Sequence, residues 1–243
     1  MKIILAGTTG LVGQEVLTQC LAHPSITSIL VLSRRELPNN ITHPKLQVHR
    51  MQDQDFLSYA DPQLAASLPG ATACIWTLGV PPSRASADEE ASRRVTLEYT
   101  SQAAVAFNEA FTASLAGPGR EEAPSAAGSR FRFVYFSGGM AERDQTKSLW
   151  VTAGYRRLRG QAENIFLEFQ AGHSTTFESY IMRPGMVLSR QGTLADRVRS
   201  LAPSVRVDVL ARAAVDLAVQ GHSEKIWENA QITEWEGVGG RES

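Results

Sequence analysis

The sequence predicts an α/β fold, a doubly wound parallel sheet with helices on both faces, on three observations. Short apolar runs alternate with longer segments of helical period. The first run ends in a glycine-patterned turn. At 243 residues the chain suits one domain with a large core better than two small ones. The strand candidates, in order, are Lys2 to Ala6, Ile29 to Ser33, Leu46 to Arg50, Ala71 to Leu78, Phe131 to Ser137 and Ser179 to Met182. Between the first two, Val12, Val16, Leu17, Cys20 and Leu21 share one helical face. A long amphipathic helix is expected from about Asp88 to about Leu115, with Val95, Leu97, Val105, Phe107 and Phe111 among its apolar positions.

The first turn reads Gly7-Thr8-Thr9-Gly10-Leu11-Val12-Gly13, directly after a strand and directly before a helix. That context turns a glycine pattern into the dinucleotide-binding fingerprint of a Rossmann-type domain. Gly7 makes the tight turn, Gly10 lets a pyrophosphate approach the main chain, and Gly13 lets helix and strand pack closely. Thr9, Leu11 and Val12 join them as candidate phosphate-binding positions, because the free N–H groups and dipole of a helix N-terminus attract anions. Three glycines serving an ordinary strand-to-helix turn are the plain alternative.

The second strand ends Ser33-Arg34-Arg35, with no acid at the point where one would bind a ribose 2′-hydroxyl. Two arginines there suit a 2′-phosphate, so NADP(H) is expected over NAD(H); Glu36, one position late, argues the other way. Asp55 and Phe56 follow the third strand as candidates to flank the adenine, with Asp53 competing for the carboxylate role. Leu78 and Gly79 end the fourth strand, where close backbone approach to a cofactor favours glycine.

Composition excludes several classes. Hydrophobic residues at 43%, charged residues at 20% and a net charge of -1 are those of an ordinary globular protein. They give no reason to expect a nucleic-acid partner or an anionic membrane. The first apolar run is too short for a secretory segment and no later one could span a bilayer, so a cytoplasmic protein is expected. Cys20 and Cys74 read as reduced core residues. His23, His43, His49, His173 and His222 show no metal-ligand spacing, and no metal site is expected. Ala116 to Arg130, rich in Gly, Pro, Ala, Ser and Glu, reads as a flexible surface insertion. The part from Met186 to Ser243 is expected to cover the substrate site within the same single domain. Helix faces fit a monomer or a homodimer equally.

Across nearly the whole chain the motifs resemble the atypical short-chain dehydrogenase/reductase group that includes NmrA-like and Tat-interacting-protein-like NAD(P)-binding proteins. The resemblance is carried by the glycine turn, Leu32-Ser33-Arg34-Arg35, Trp76-Thr77-Leu78-Gly79, Phe136-Ser137-Gly138, Arg159-Gly160-Gln161-Ala162-Glu163, Met182-Arg183-Pro184-Gly185 and Glu228-Asn229-Ala230-Gln231-Ile232. It implies a catalytic set of Ser137, Tyr155 and Arg159. In such a set the tyrosine moves the substrate proton, the serine polarises a carbonyl, and a lysine holds the ribose and lowers the tyrosine pKa. The lysine position here is Arg159, which keeps the charge but is planar and cannot relay a proton. Pro184, within Arg183-Pro184-Gly185, is implied to shape the nicotinamide pocket, and Thr96 and Tyr99 stand where relatives place an asparagine and an aromatic.

Each candidate has a plain alternative: helix packing for Tyr155, strand-end capping for Ser137, and a surface ion pair with Glu163 for Arg159. Three functions follow. The first is an NADP(H)-dependent oxidoreductase acting on a carbonyl or alcohol of a small, fairly apolar molecule. The second is a non-redox isomerase or cyclase on the same fold, and the third an NADP-sensing regulatory binding protein.

Overall fold

A computed structural model describes residues 1–38, 41–81, 85, 88–116 and 130–236. Of the expected insertion, residues 117–129 lie outside the described residues, as do 237–243 of the C-terminal part. The chain runs β1 (Lys2–Ala6), α1 (Leu11–Ala22), β2 (Ser28–Ser33), β3 (Leu46–Arg50), α2 (Asp55–Ser58), α3 (Pro62–Ser67) and β4 (Ala71–Trp76). Next come α4 (Glu89–Arg93), a π-helical turn (Arg94–Glu98), α5 (Tyr99–Leu115), β5 (Phe131–Phe136), α6 (Ala153–Gly172) and β6 (Phe177–Arg183). It closes with β7 (Met186–Leu188), α7 (Leu194–Arg199), β8 (Ser204–Arg206), α8 (Val207–Gln220), β9 (Ile226–Glu228) and α9 (Asn229–Thr233).

Seven strands form one parallel sheet in the order β3-β2-β1-β4-β5-β6-β9. The inner strands β1, β2, β4, β5 and β6 read as apolar runs because both faces are covered, with side chains alternating between two cores, whereas the edge strand β3 is largely exposed. Ile3, Leu5, Ile29, Val31, Ile75 and Val134 face α1 and α8. Ile4, Ala6, Leu30, Leu32, Cys74, Trp76 and Phe133 face α5 and α6, where Phe107, Phe131, Phe133, Phe166 and Phe177 form a cluster of contacting rings, with Phe107 stacked on Phe133. Cys20 and Cys74 are buried free thiols, and burial pushes Cys20 up to about 12.

Six strands of the sheet were legible from sequence, Leu46–Arg50 among them although it is half polar and largely exposed; the seventh was not. Ile226–Glu228 is three residues long and closes the sheet edge by pairing with Ile181, Met182 and Arg183. The span from 186 onward divides its work. Met186, Val187, Ala202, Pro203 and Glu228 to Ala230 reach the cleft described below, whereas α8 buries eight residues and packs against α1 as a core helix. Among the described residues no helix is long and apolar enough to cross a membrane, and no group of three His, Cys, Asp or Glu could hold a metal ion.

Candidate active site

The turn after β1 separates two kinds of glycine. Gly7 has φ +85°, and a Cβ there would sit 2.5 Å from Thr77 Oγ1 and 2.6 Å from the Leu78 nitrogen. A Cβ on Gly13 would sit 2.2 Å from the Gly7 carbonyl oxygen. The protein's own packing therefore demands both. Gly10 is different: its backbone is extended (φ -87°, ψ 167°) and a Cβ would meet nothing nearer than the Gly7 oxygen at 3.5 Å. Among the described residues, the packing does not require a glycine there. Gly10 caps α1 with no side-chain hydrogen bond, leaving the first N–H groups of the helix open, and Leu11 beside it is half exposed. Gln14 Nε2 donates to the Thr9 carbonyl at 3.0 Å and steadies the turn. A phosphate cradle fits these residues.

At the end of β2, Arg34 pairs with Asp53 at 2.9 Å, and both side chains are substantially exposed. Ser33 Oγ takes the Arg35 N–H at 3.2 Å and donates to the Arg35 carbonyl at 2.7 Å, fixing the loop while Arg35 and Glu36 stay exposed. The expected adenine neighbours need correction. Phe56 is 1% exposed and stacks on Tyr99 at 5.0 Å, so it is a core residue and cannot flank a base. Asp55 accepts the Gln52 N–H at 2.6 Å at the start of α2. Asp53 is instead the carboxylate beside Arg34, and burial together with that carboxylate raises the Tyr99 pKa. Thr96, buried in the π-helical turn, does not line the cleft described next.

Beyond the carboxyl ends of β1, β4, β5 and β6 lies a cleft of about 820 Å³, the place where open α/β sheets bind ligands. Val12, Tyr155, Arg159 and residues 77–81, 136–141, 184–187, 202–203 and 228–230 line it, so Ser137, Tyr155, Arg159, Leu78, Gly79 and Pro184 meet at one site. Tyr155 and Arg159 are one turn apart on α6 and face the same side. The α6 backbone crosses close to the loop after β5 at Gly160, where a Cβ would overlap the Glu142 carbonyl at 1.8 Å.

The polar contacts differ from the sequence expectation. Arg159 makes no surface pair with Glu163. It is 6% exposed, one guanidinium nitrogen donates to the Phe136 carbonyl and, at 2.9 Å, to the Ser137 carbonyl, and its charge lies 5.2 Å from the Tyr135 ring centre. Its buried Nε has no partner among the described residues. A Cβ on Gly79 would come within 3.2 Å of the other terminal nitrogen, so glycine there makes room for this arginine. Glu163, with no exposed surface, accepts the Ser137 hydroxyl at 2.5 Å and the Arg183 Nε at 2.9 Å, and Arg183 reaches Glu228 at 2.8 Å on its other side. Glu163 and Arg183 do not line the cleft but hold Ser137 from behind it, a link the sequence reading did not make: it had Arg183 only within Arg183-Pro184-Gly185 and Glu163 only as a surface partner of Arg159. Glu163 lies two turns beyond Tyr155 on α6, and that spacing is the signal that could have found it.

No family model matches the chain. A stretch of 81 residues, 33% of this chain and 29% of the relative, is 42% identical to leucinostatins biosynthesis cluster protein T of Purpureocillium lilacinum. Solved structures match far more of the chain. A dTDP-glucose 4,6-dehydratase from Streptomyces venezuelae with NAD bound has a TM-score of 0.67 at 14% identity, over 94% of this chain and 75% of that one. An oxidoreductase of the short chain dehydrogenase/reductase family from Burkholderia thailandensis has a TM-score of 0.64 at 15% identity, over 90% and 85%. The Bordetella bronchiseptica enzyme WbmF, in complex with NAD+ and UDP, has a TM-score of 0.63 at 14% identity, over 94% and 72%. Identities this low establish the fold: this chain has the Rossmann-type architecture those enzymes share.

Proposed function

We propose that the chain is an NADP(H)-dependent oxidoreductase of the atypical short-chain dehydrogenase/reductase type, acting on a carbonyl or alcohol of a small, fairly apolar molecule. The observation that carries it is Gly10, which the protein's own packing leaves free to take a Cβ, at an uncapped helix end two residues before Val12, which lines the cleft together with Ser137, Tyr155 and Arg159. Gly7 to Gly13 would hold the pyrophosphate, Arg34 and Arg35 the 2′-phosphate, and Leu78, Gly79 and Pro184 the nicotinamide end. When bound, the nicotinamide supplies or accepts a hydride. Tyr155 gives or takes the proton at the substrate oxygen and Ser137 orients that oxygen. Arg159 anchors the strand end under Ser137 and places positive charge beside the cleft. The relative's name places that protein in a biosynthesis cluster, which suits a small-molecule substrate.

Tyr155→Phe tests the assignment: turnover of NADPH with a carbonyl panel should disappear while NADPH affinity stays near wild type, and retained turnover would sink it. A second reading, a non-redox isomerase or cyclase, draws support from Arg159 being committed to two main-chain carbonyls. Product formed with no change at the NADPH absorbance band would select it.

A further inference from the structure

The Ser137 hydroxyl has a fixed direction. It donates to Glu163, and Glu163 is held by two guanidinium nitrogens of Arg183, itself steadied by Glu228. The hydrogen bond to Glu163 is the leading cause that keeps Arg183 charged. A hydroxyl carries one proton and two lone pairs, and an ionised carboxylate only accepts. Ser137 lines the cleft, and with its proton committed to Glu163 its hydroxyl has only accepting capacity left for a ligand there. A carbonyl oxygen facing it is a second acceptor with no proton between them, whereas a ligand hydroxyl completes the pair.

We propose that Glu163 is a positioning residue that determines specificity: by taking the Ser137 proton it tunes the cleft to a ligand that donates a hydrogen bond, the alcohol, over one that only accepts, the ketone. This rests on the cleft being the substrate site and narrows that reading to the alcohol form of the substrate. Ser137 receives the ligand hydroxyl, and Tyr155 lines the same cleft from α6.

The full chain saturated with NADP+ is titrated by protein-observed NMR with 2-phenyl-2-propanol, which cannot pass on a hydride, and with acetophenone, which is inert without a hydride donor. The readout is the change in the alcohol-to-ketone affinity ratio between variants, so the extra methyl of the alcohol cancels. Wild type should favour the alcohol, and Ser137→Ala should lower the ratio on the order of tenfold through lost alcohol affinity. The double variant Glu163→Leu/Arg183→Met replaces the buried pair by apolar side chains and avoids stranding one charge. It should lower the ratio by raising ketone affinity, a gain that a merely structural role would not produce. The cofactor-free chain should also show a downfield hydroxyl proton that Ser137→Ala removes, a readout that stands even if NADP+ fails to bind and the dinucleotide reading falls. An unchanged ratio in the double variant, tighter ketone binding by wild type, binding of neither probe, or absence of the hydroxyl resonance would overturn the proposal.

Discussion

Replacing Gly10 and Gly13 separately by alanine should divide folding from binding. At Gly13 the new methyl would lie 2.2 Å from the Gly7 carbonyl oxygen and 2.7 Å from Thr8 Cα, both main-chain atoms that cannot rotate away. Overpacking of this kind costs about 1–3 kcal/mol. In a domain of this size each kcal/mol shifts Tm by roughly 2–4 °C, so Gly13→Ala should melt several degrees early. At Gly10 the methyl would meet only the Gly7 oxygen at an ordinary 3.5 Å, and the backbone already lies where alanine is at ease. Two small effects oppose each other there: alanine reduces the freedom of the unfolded chain by about 0.4–1 kcal/mol, but it is a poorer helix cap than glycine. The net change in Tm should stay within about 2–4 °C. Binding should behave the other way. A methyl placed where a pyrophosphate must touch the main chain should weaken NADPH on the order of tenfold or more, about 1.4 kcal/mol. Differential scanning fluorimetry and NADPH fluorescence titration of both variants provide the assay. A stable Gly10→Ala that binds NADPH as tightly as wild type would refute the phosphate cradle.

Asp53→Asn should leave Tm nearly unchanged, because exposed pairs such as Arg34 with Asp53 contribute about 0–1 kcal/mol. Releasing Arg34 should strengthen NADPH binding about two- to fivefold and leave NADH binding alone, as paired titrations would show. Hydrogen bonds from Ser189 and Thr193 hold Asp196 at about 2, below its ordinary 3.8, where it closes the capping box at the start of α7. A depressed carboxylate pKa stabilises the folded state above the unfolded value and stops doing so as pH falls through the folded one. The Asp196 contribution should therefore be full above about pH 4 and lost toward pH 2. Melting temperatures of wild type and Asp196→Asn should converge over that window, and parallel curves would refute the assignment.

The sheet and the glycine turn between β1 and α1 were legible because their signals are local. Doubly covered strands read as apolar runs, and Gly7 to Gly13 follow β1 directly into α1. What was hidden depends on tertiary contact. Phe56 looks like a loop aromatic beside Asp55 until Tyr99, distant in sequence, stacks on it. Glu163 reads as the helical partner of Arg159 at a spacing of four, yet the fold brings β6 alongside and the buried carboxylate takes Arg183. Arg159 marks a departure from the lysine of the resembling family, but only the closeness of the Phe136 and Ser137 carbonyls shows where its guanidinium goes. The edge strand Ile226–Glu228 is too short to carry a period, and the apolar face of α8 gives no hint from sequence that it lies on α1 and not over the cleft.

The most direct test is equilibrium binding of NADPH and NADH to the wild-type chain, read by quenching of tryptophan emission. NADPH should bind on the order of tenfold more tightly than NADH, and the margin should vanish in Arg34→Ala/Arg35→Ala. Binding of neither nucleotide, or tighter binding of NADH, would contradict a glycine turn and arginine pair built to hold NADP(H).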